Sequence, residues 1–270
     1  MKRKELEKVI EHHTAQLEKY ALQIPGSFAV ADIHELRVEY KKIRAFLRLL
    51  FAGNDEKKLM GKLEKMYKAA GRVRDLQLFL PLLPQNTQKK QPLPRFIQCL
   101  HQQLFEAKEQ LVKEIEKIEW HKVTANIKKF LPAVMDDNMI QQFVHRKVAS
   151  INVILLAIET EKDLHLIRKH LKDLVHNIKI FRQHWGISFP ATAWKSEKML
   201  NDIAAALGDF NDLCISAGFF NSCCMEIIPG EEKKLVKTWE GKWLQQKEET
   251  KKQLIPLVKK QQLTHSFKVF

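Results

Sequence analysis

The sequence contains little glycine and proline, with nine of each in 270 residues, and runs of alternating apolar and polar residues are scarce. Such residues mark the turns of sheet-rich proteins, and alternation marks their strands, so the sequence argues against an all-β or α/β fold. Long amphipathic segments fill most of the chain instead. We therefore predict an all-α protein, and its 45% hydrophobic content is sufficient for a buried core.

Cysteine is also rare. Cys99, Cys214, Cys223 and Cys224 include no CxxC pair, which is typical neither of a disulfide framework nor of a zinc site, so we expect buried reduced thiols. The charged N-terminal segment lacks the apolar core of a signal peptide, and we find no run approaching the roughly 18 apolar residues of a membrane span. We expect a cytoplasmic protein without a membrane span.

The motifs of common enzyme classes are missing as well. The sequence has no phosphate-binding glycine loop, no GxSxG and no HExxH. Glu161 and His165 lie four residues apart, at a spacing that suits a metal, but no third and fourth ligand converge on them. We therefore expect no catalytic residue, no bound metal and no cofactor.

Acidic residues are outnumbered, with 32 Asp and Glu against 46 Lys and Arg, which gives a formal net charge of +14. Such a balance favours a polyanionic partner or an acidic membrane surface, although it says nothing about the fold. The placement of the positive charges along the chain is more informative.

Two segments carry positive charge at helical spacing. On Ile33 to Phe51, residues three and four apart form a first basic stripe beside an apolar face, and Leu164 to Phe181 repeats the spacing as a second basic stripe. A single such run is most often a solvated helix face. The second copy favours an anion-binding surface. The first stripe comprises His34, Arg37, Lys41, Arg44 and Arg48, and the second His165, Arg168, Lys172, His176 and Lys179.

The apolar periodicity and the helix-breaking residues predict eight helices. Their expected ranges are 2–23, 29–52, 55–80, 95–120, 138–159, 162–185, 193–224 and 231–262. The segment around Pro132, Asp136 and Asp137 separates two groups of four, so we predict one domain of two units, at 1–132 and 133–270.

An internal repeat supports this division. The segment 63–78 aligns with 200–215, which places Gly71 on Gly208 and Asp75 on Asp212. The offset is 137 residues there and 131 at the basic stripes. The sequence therefore predicts an internal duplication, with two four-helix units about a pseudo-twofold axis.

The chain resembles the CHAD family of histidine-bearing α-helical domains. The resemblance rests on HELRV and KKIR within 34–44, on GRVRDL at 71–76 and on weaker second copies of both, and it covers nearly the whole chain. It implies two four-helix bundles in one domain that bind inorganic polyphosphate through basic residues on facing helices. Association with polyphosphate granules would follow from the same role.

The candidate polyphosphate-binding residues are basic and lie in the repeated segments. Arginine offers paired hydrogen bonds to phosphate, and lysine offers a point charge. The second copy is less basic, because Asp173 and Val175 stand where the first has Lys42 and Arg44. We read Gly71 and Gly208 as sites of close helix approach and Asp75 and Asp212 as structural. The candidates are His34, Arg37, Lys41, Lys42, Arg44, Arg48, Lys65, Arg72, Arg74, His165, Arg168, Lys169, Lys172, His176 and Lys179.

Two other partners would also explain the charge. Non-specific nucleic-acid binding uses the same phosphate contacts, but the basic stripes are not interleaved with aromatic residues for base stacking. A helical scaffold with a basic face for an acidic protein is the third possibility.

Overall fold

The structure is a computed structural model that describes residues 1–51, 59–83, 93–190, 196–221 and 224–260. Within these ranges the chain is helical and contains no strand, so the all-α prediction is confirmed. The helices are α1 (Arg3–Ser27), α2 (Val30–Leu50), α3 (Gly61–Phe79), a 3₁₀ turn (Leu80–Leu82), α4 (Pro94–Glu116), α5 (Trp120–Phe130), α6 (Asp137–Leu156), α7 (Glu161–Trp185), α8 (Glu197–Phe219), α9 (Cys224–Ile227) and α10 (Gly230–Lys260).

Capping residues begin the helices of the second half. The Asp136 carboxylate accepts a hydrogen bond from the Met139 amide at 2.8 Å, and Thr160 forms a capping box with Asp163 at the start of α7. Helix α7 ends at Gly186, whose φ of 66° is a conformation that glycine adopts readily. These caps explain why the predicted and observed bounds of α6 and α7 agree closely.

The first half departs from the prediction in two places. Helix α1 continues past its predicted end at residue 23 and includes Pro25 in its last turn. It ends before Phe28, whose amide donates to the Ile24 carbonyl at 2.8 Å. Helix α5 was not predicted. It has 11 residues, of which Ile127 is the buried one, and it lies in the stretch between two predicted helices, 95–120 and 138–159. The start of the predicted 55–80 helix lies outside the described residues, as does most of the proline-containing loop before α4.

The expected boundary around Pro132 is held in place by the N-terminus. The Met1 ammonium donates to the Met135 carbonyl at 2.8 Å, and the guanidinium of Arg3 donates to the carbonyls of Leu131 and Lys128 at 3.0 and 2.7 Å. This segment is therefore a packed connection and not a free linker.

The basic helices α2 and α7 lie at the centre and pack directly on each other. Around them the contacts run in the same order in both halves: α1–α2, α2–α3 and α3–α4 in the first, and α6–α7, α7–α8 and α8–α10 in the second. The buried residues of all these helices form one contiguous cluster. The duplication itself stays a prediction.

A buried amide joins the two central helices. Asn177 on α7 is fully buried, and its Nδ2 donates to the Ala45 carbonyl of α2 at 3.1 Å and to the Asp173 carbonyl of its own helix at 2.8 Å. The interface between α2 and α7 thus contains a directional polar contact inside an apolar core.

The prediction of reduced thiols is wrong for two cysteines. Cys99 on α4 and Cys224 on α9 form a disulfide, with Cα atoms 5.8 Å apart, within the usual range for such a bond. They lie 125 residues apart in sequence, and no local spacing indicates the pairing. Cys214 is a free thiol, and Cys223 lies outside the described residues.

One segment is more apolar than we expected. Glu197–Ile227 contains an 18-residue window of mean hydropathy 1.3, long and apolar enough to cross a membrane by length and composition. Core helices often meet the same criterion, so the finding is weak evidence for a span. Helix α8, which makes up most of this segment, packs on α7, α3 and α10.

Candidate anion-binding site

The apolar face of α2 orients its basic residues. The apolar face that the sequence predicts beside the first basic stripe consists of Leu36, Tyr40, Ile43, Leu47 and Leu50, and each of them is at most 5% exposed. Because these residues fix the rotation of α2 in the core, the neighbouring basic face is directed along its contact with α7. Ile167 and Leu174 fix α7 in the same way.

A cavity of about 260 Å³ opens between the two helices, and basic residues from both of them line it. We call it the basic cavity. Asp173 is the acidic residue in its lining. The complete lining consists of Lys41, Arg44, Tyr67, His165, Arg168, Lys169, Lys172, Asp173 and His176.

Lys41 is partly buried within this excess of positive charge. Burial, reinforced by Arg37, Arg168 and Lys172, lowers the pKa of Lys41 to about 7. Burial also lowers the pKa of Lys172, followed by the repulsion of Arg168 and Lys179. Cations held so close together, with Asp173 as the acidic residue of the lining, favour the entry of an anion.

Several donors in the cavity have no partner. The Nε atoms of Arg44 and Arg168 are buried, and neither has a hydrogen bond to any described residue. Both ring nitrogens of His176 are also buried without a partner among the described residues, one of them a donor and the other an acceptor, and burial lowers the pKa of this ring well below its usual value. Buried donors without acceptors are costly, and phosphate oxygens would supply the missing acceptors.

Arg37 is held by the protein itself. Its Nη1 donates to the Tyr67 carbonyl at 3.1 Å, and its guanidinium carbon lies 4.6 Å from the centre of the Tyr67 ring. A Cβ atom on Gly71 would be 2.3 Å from the Arg37 Nη1. Gly71 therefore makes room for the arginine, rather than for the close helix approach that we expected.

Tyr67 is the residue that the sequence did not indicate. Its ring stacks on Tyr40 with centroids 4.3 Å apart, and the guanidinium of Arg44 lies 5.3 Å from the Tyr40 ring. The two tyrosines thus support two arginines by cation–π contacts. The one available signal was the position of Tyr67, a helical turn before Gly71.

Two predicted binding residues are engaged in buried ion pairs instead. Lys42 contacts Glu39 at 2.6 Å, and Arg48 contacts both carboxylate oxygens of Asp173 at 3.1 and 3.2 Å. Lys147 on α6 shares Asp173 at 2.6 Å. Asp173, which we read from the sequence as a loss of positive charge, therefore links the first half to the second.

Other predicted residues lie around the rim or away from the cavity. Arg72 contacts Gln103 and the Phe219 ring, and Arg74 donates to the Val30 carbonyl at 3.3 Å. Lys65 and Lys179 are exposed. Of the candidate list, the structure brings together Lys41, Arg44, His165, Arg168, Lys169, Lys172 and His176.

Among the described residues, neither His34 nor His165 has a hydrogen bond to a backbone carbonyl at a helix end. His165 contacts the Asn211 side chain at 3.0 Å, and His34 is exposed, with burial of its ring and the nearby Arg74 lowering its pKa. Asp75 is half-buried, and burial raises the pKa of its carboxyl against the opposing effect of Arg37. Asp212 is exposed and lies close enough to raise the Asp75 pKa further.

The comparisons with known proteins identify the family and the fold. A family model described as the CHAD domain matches residues 8–221. The chain belongs to the CHAD family. Among solved structures, the crystal structure of the CHAD domain from the plant Ricinus communis is similar, with a TM-score of 0.71 and 12% identity over 90% of this chain and 86% of that one. At this identity the likeness shows the CHAD fold alone. No curated protein matches.

Proposed function

We propose that this chain binds inorganic polyphosphate in the basic cavity, without catalysing a reaction. The observation that carries the proposal is the set of unpartnered buried donors on Arg44 and Arg168, in a cavity whose other basic residues repel one another. A linear chain of phosphates offers acceptors and negative charge together, and it has no base or sugar that needs recognition.

The aromatic residues beside the cavity argue against base recognition. The Tyr67 ring already contacts Tyr40 and the guanidinium of Arg37, so it is not open for a base to stack on it. Single-stranded nucleic acids are usually bound through such stacking. Nucleic acid and an acidic protein are therefore competitors to be tested.

The proposal includes the cellular location of the protein and its lack of a cofactor. Polyphosphate is available in the cytoplasm, where we place the protein, and at granules that store the polymer. The Cys99–Cys224 disulfide is more typical of an oxidising compartment, so the redox state of this pair in cells is a direct check on that placement. Binding requires no cofactor.

The test is a titration of labelled polyphosphate from about 50 to 500 mM salt. We expect affinity to fall steeply and linearly on a log–log plot, because each phosphate contact releases condensed counterions. Unlabelled polyphosphate should compete at lower phosphate concentration than single-stranded DNA, duplex DNA or an acidic protein. An affinity independent of salt, or stronger competition by DNA, would overturn the proposal.

A further inference from the structure

Three imidazoles meet outside the basic cavity, where α1 passes the end of α7. His12 and His13 lie on α1, and His184 lies in the last turn of α7. The ring centroids are 5.0 Å apart for His12 and His13, 5.1 Å for His12 and His184, and 5.2 Å for His13 and His184. The rings are steeply inclined to one another, at 69° to 84°, so they do not stack.

Two of these rings direct nitrogen atoms at each other. The Nε2 atoms of His13 and His184 are 3.3 Å apart. On the far side of its ring, the Nδ1 of His13 is 2.6 Å from the Glu39 carboxylate. Glu39 is 5% exposed. The carboxylate therefore holds the proton on Nδ1, which leaves the Nε2 lone pair of His13 directed at His184.

These separations match those of a tetrahedral metal site. With Zn–N bonds of about 2.0–2.1 Å, two ligand nitrogens at the tetrahedral angle are about 3.3–3.4 Å apart, and the centres of their rings are about 5 Å apart. A carboxylate bonded to the second nitrogen of a histidine ligand is the usual outer partner in such sites. The arrangement of Glu39, His13 and His184 provides both features.

The chemistry of the cluster also suits a metal. A neutral imidazole offers a metal ion one ring nitrogen with a lone pair. Lys42 is the positive charge that faces the rings. Its contact with the Glu39 carboxylate at 2.6 Å offsets the repulsion between Lys42 and a bound cation. Imidazole ligands favour Zn²⁺, Cu²⁺ and Ni²⁺ over Mg²⁺ or Ca²⁺.

The third ring, that of His12, lies beside the pair but is bonded to another residue. No three His, Cys, Asp or Glu side chains among the described residues are already arranged to hold a metal. The Nε2 of His12 accepts a hydrogen bond from the Gln183 amide at 2.9 Å. His12 is exposed and His184 half-buried, so an ion can enter from solvent. Rotation of the His12 ring would exchange the amide for the metal.

We propose that His13 and His184 bind a divalent transition-metal ion through their Nε2 atoms, that His12 turns from Gln183 to complete a three-histidine site, and that water fills the fourth position. The ion would join α1 of the first half to α7 of the second.

The experiment is a titration of the full chain, without a histidine tag and in phosphate-free buffer, with Co²⁺ and then Zn²⁺. We expect one equivalent of Co²⁺ to produce the visible bands of four-coordinate cobalt, and Zn²⁺ to displace it. His184→Ala removes a half-buried ligand and should abolish the bands. Glu39→Gln should weaken binding about 10- to 100-fold.

His121→Ala is the matched control, because His121 is exposed on α5 and its removal should change neither the bands nor the affinity. Circular dichroism of each variant checks folding, and His12→Ala provides a second ligand variant on an exposed side chain. The proposal is overturned if the native chain shows no saturable cobalt spectrum, or if folded His184→Ala and His12→Ala bind as the native chain does.

Discussion

The two halves place an arginine over a glycine at corresponding positions, but the two arginines are held differently. Arg37 fills the space above Gly71, where a Cβ would be 2.3 Å from Nη1, and donates to the Tyr67 carbonyl. Arg168 lies more loosely over Gly208, where the nearest side-chain atom would be 3.7 Å from a Cβ, and its Nε has no partner among the described residues. The half that is less basic in sequence thus offers a freer guanidinium.

A second pair of matched positions shows the same contrast. Lys42 pairs within its own helix, with Glu39 three residues away, whereas Asp173, its counterpart, reaches Arg48 in the other half. One sign change converts a local pair into a contact across the molecule. Net charge per half is therefore a poor guide to which residues bind a ligand and which hold the fold.

The largest effect should come from Asp173→Ala. The side chains of Arg48 and Lys147 are 14% and 16% exposed, and both lose their shared carboxylate. Removal of one partner from a buried pair costs about 3–5 kcal/mol, so urea unfolding should show a loss of that order. Lys42→Ala is the control, because Glu39 keeps its contact with His13 and the loss should be about 1 kcal/mol. Equal losses would remove the distinction between the two positions.

Charge reversal should separate one shared binding site from two independent ones. We consider two double variants that change the same cavity from opposite helices. The α2 variant combines Lys41→Glu with Arg44→Glu, and the α7 variant combines Arg168→Glu with Lys172→Glu. Each charged contact is worth about 1.5–3 kcal/mol, so each pair should weaken polyphosphate binding at least about a hundredfold.

Lys237→Glu with Lys252→Glu is the matched control for these variants. Both lysines are exposed on α10, and the net charge changes by the same amount, yet binding should fall only a few-fold. If the α10 variant matches the cavity variants, net charge alone governs binding. A loss confined to one cavity pair would assign the site to one half.

The two glycines provide the next test. Gly71→Ala should displace Arg37 and cost about 1–3 kcal/mol through overpacking, and it should weaken polyphosphate binding along with stability. Gly208→Ala has room for the methyl group and should be neutral or stabilise the helix by about 0.5–1 kcal/mol. Thermal unfolding of both variants measures the difference. A stable Gly71→Ala protein with native affinity would show that the position of Arg37 is unimportant.

The last test concerns protons. The pKa of Lys41 is about 7 in the fold and higher in the unfolded chain, so the unfolded state binds more protons between about pH 7 and 10, and stability should rise with pH there. A bound polyanion should restore the proton. Calorimetry at pH 8 in buffers of different ionisation enthalpy should therefore detect uptake of up to about one proton, absent in Lys41→Met. Equal uptake in that variant would assign the proton to another group.

The sequence predicts the fold better than the site. Apolar periodicity located α2 and α7, and the five residues of the α2 apolar face are buried as expected. The predicted helices do not include the 11-residue helix α5, which buries Ile127. Seven candidate residues meet in one cavity because the stripe spacing orients them together.

What the sequence missed depends on long-range partners. The contact of Arg48 with Asp173 joins residues 125 apart, and the cystine joins Cys99 to Cys224 over the same separation. The support of Arg37 by Tyr67 depends on the packing of α3 against α2. Helical periodicity describes which face a residue occupies, and carries no information on which residue of another helix lies opposite.

The amide of Asn177 has a consequence for how the two basic helices are aligned. Apolar side chains tolerate sliding of one helix along another, whereas the hydrogen bond from Asn177 to the Ala45 carbonyl exists at a single longitudinal offset, much as a buried asparagine fixes the register of a coiled coil. A slip of one turn would shift the helices by about 5.4 Å and strand the amide in the core. One side chain thereby sets the offset between the two rows of cations along the helix axes.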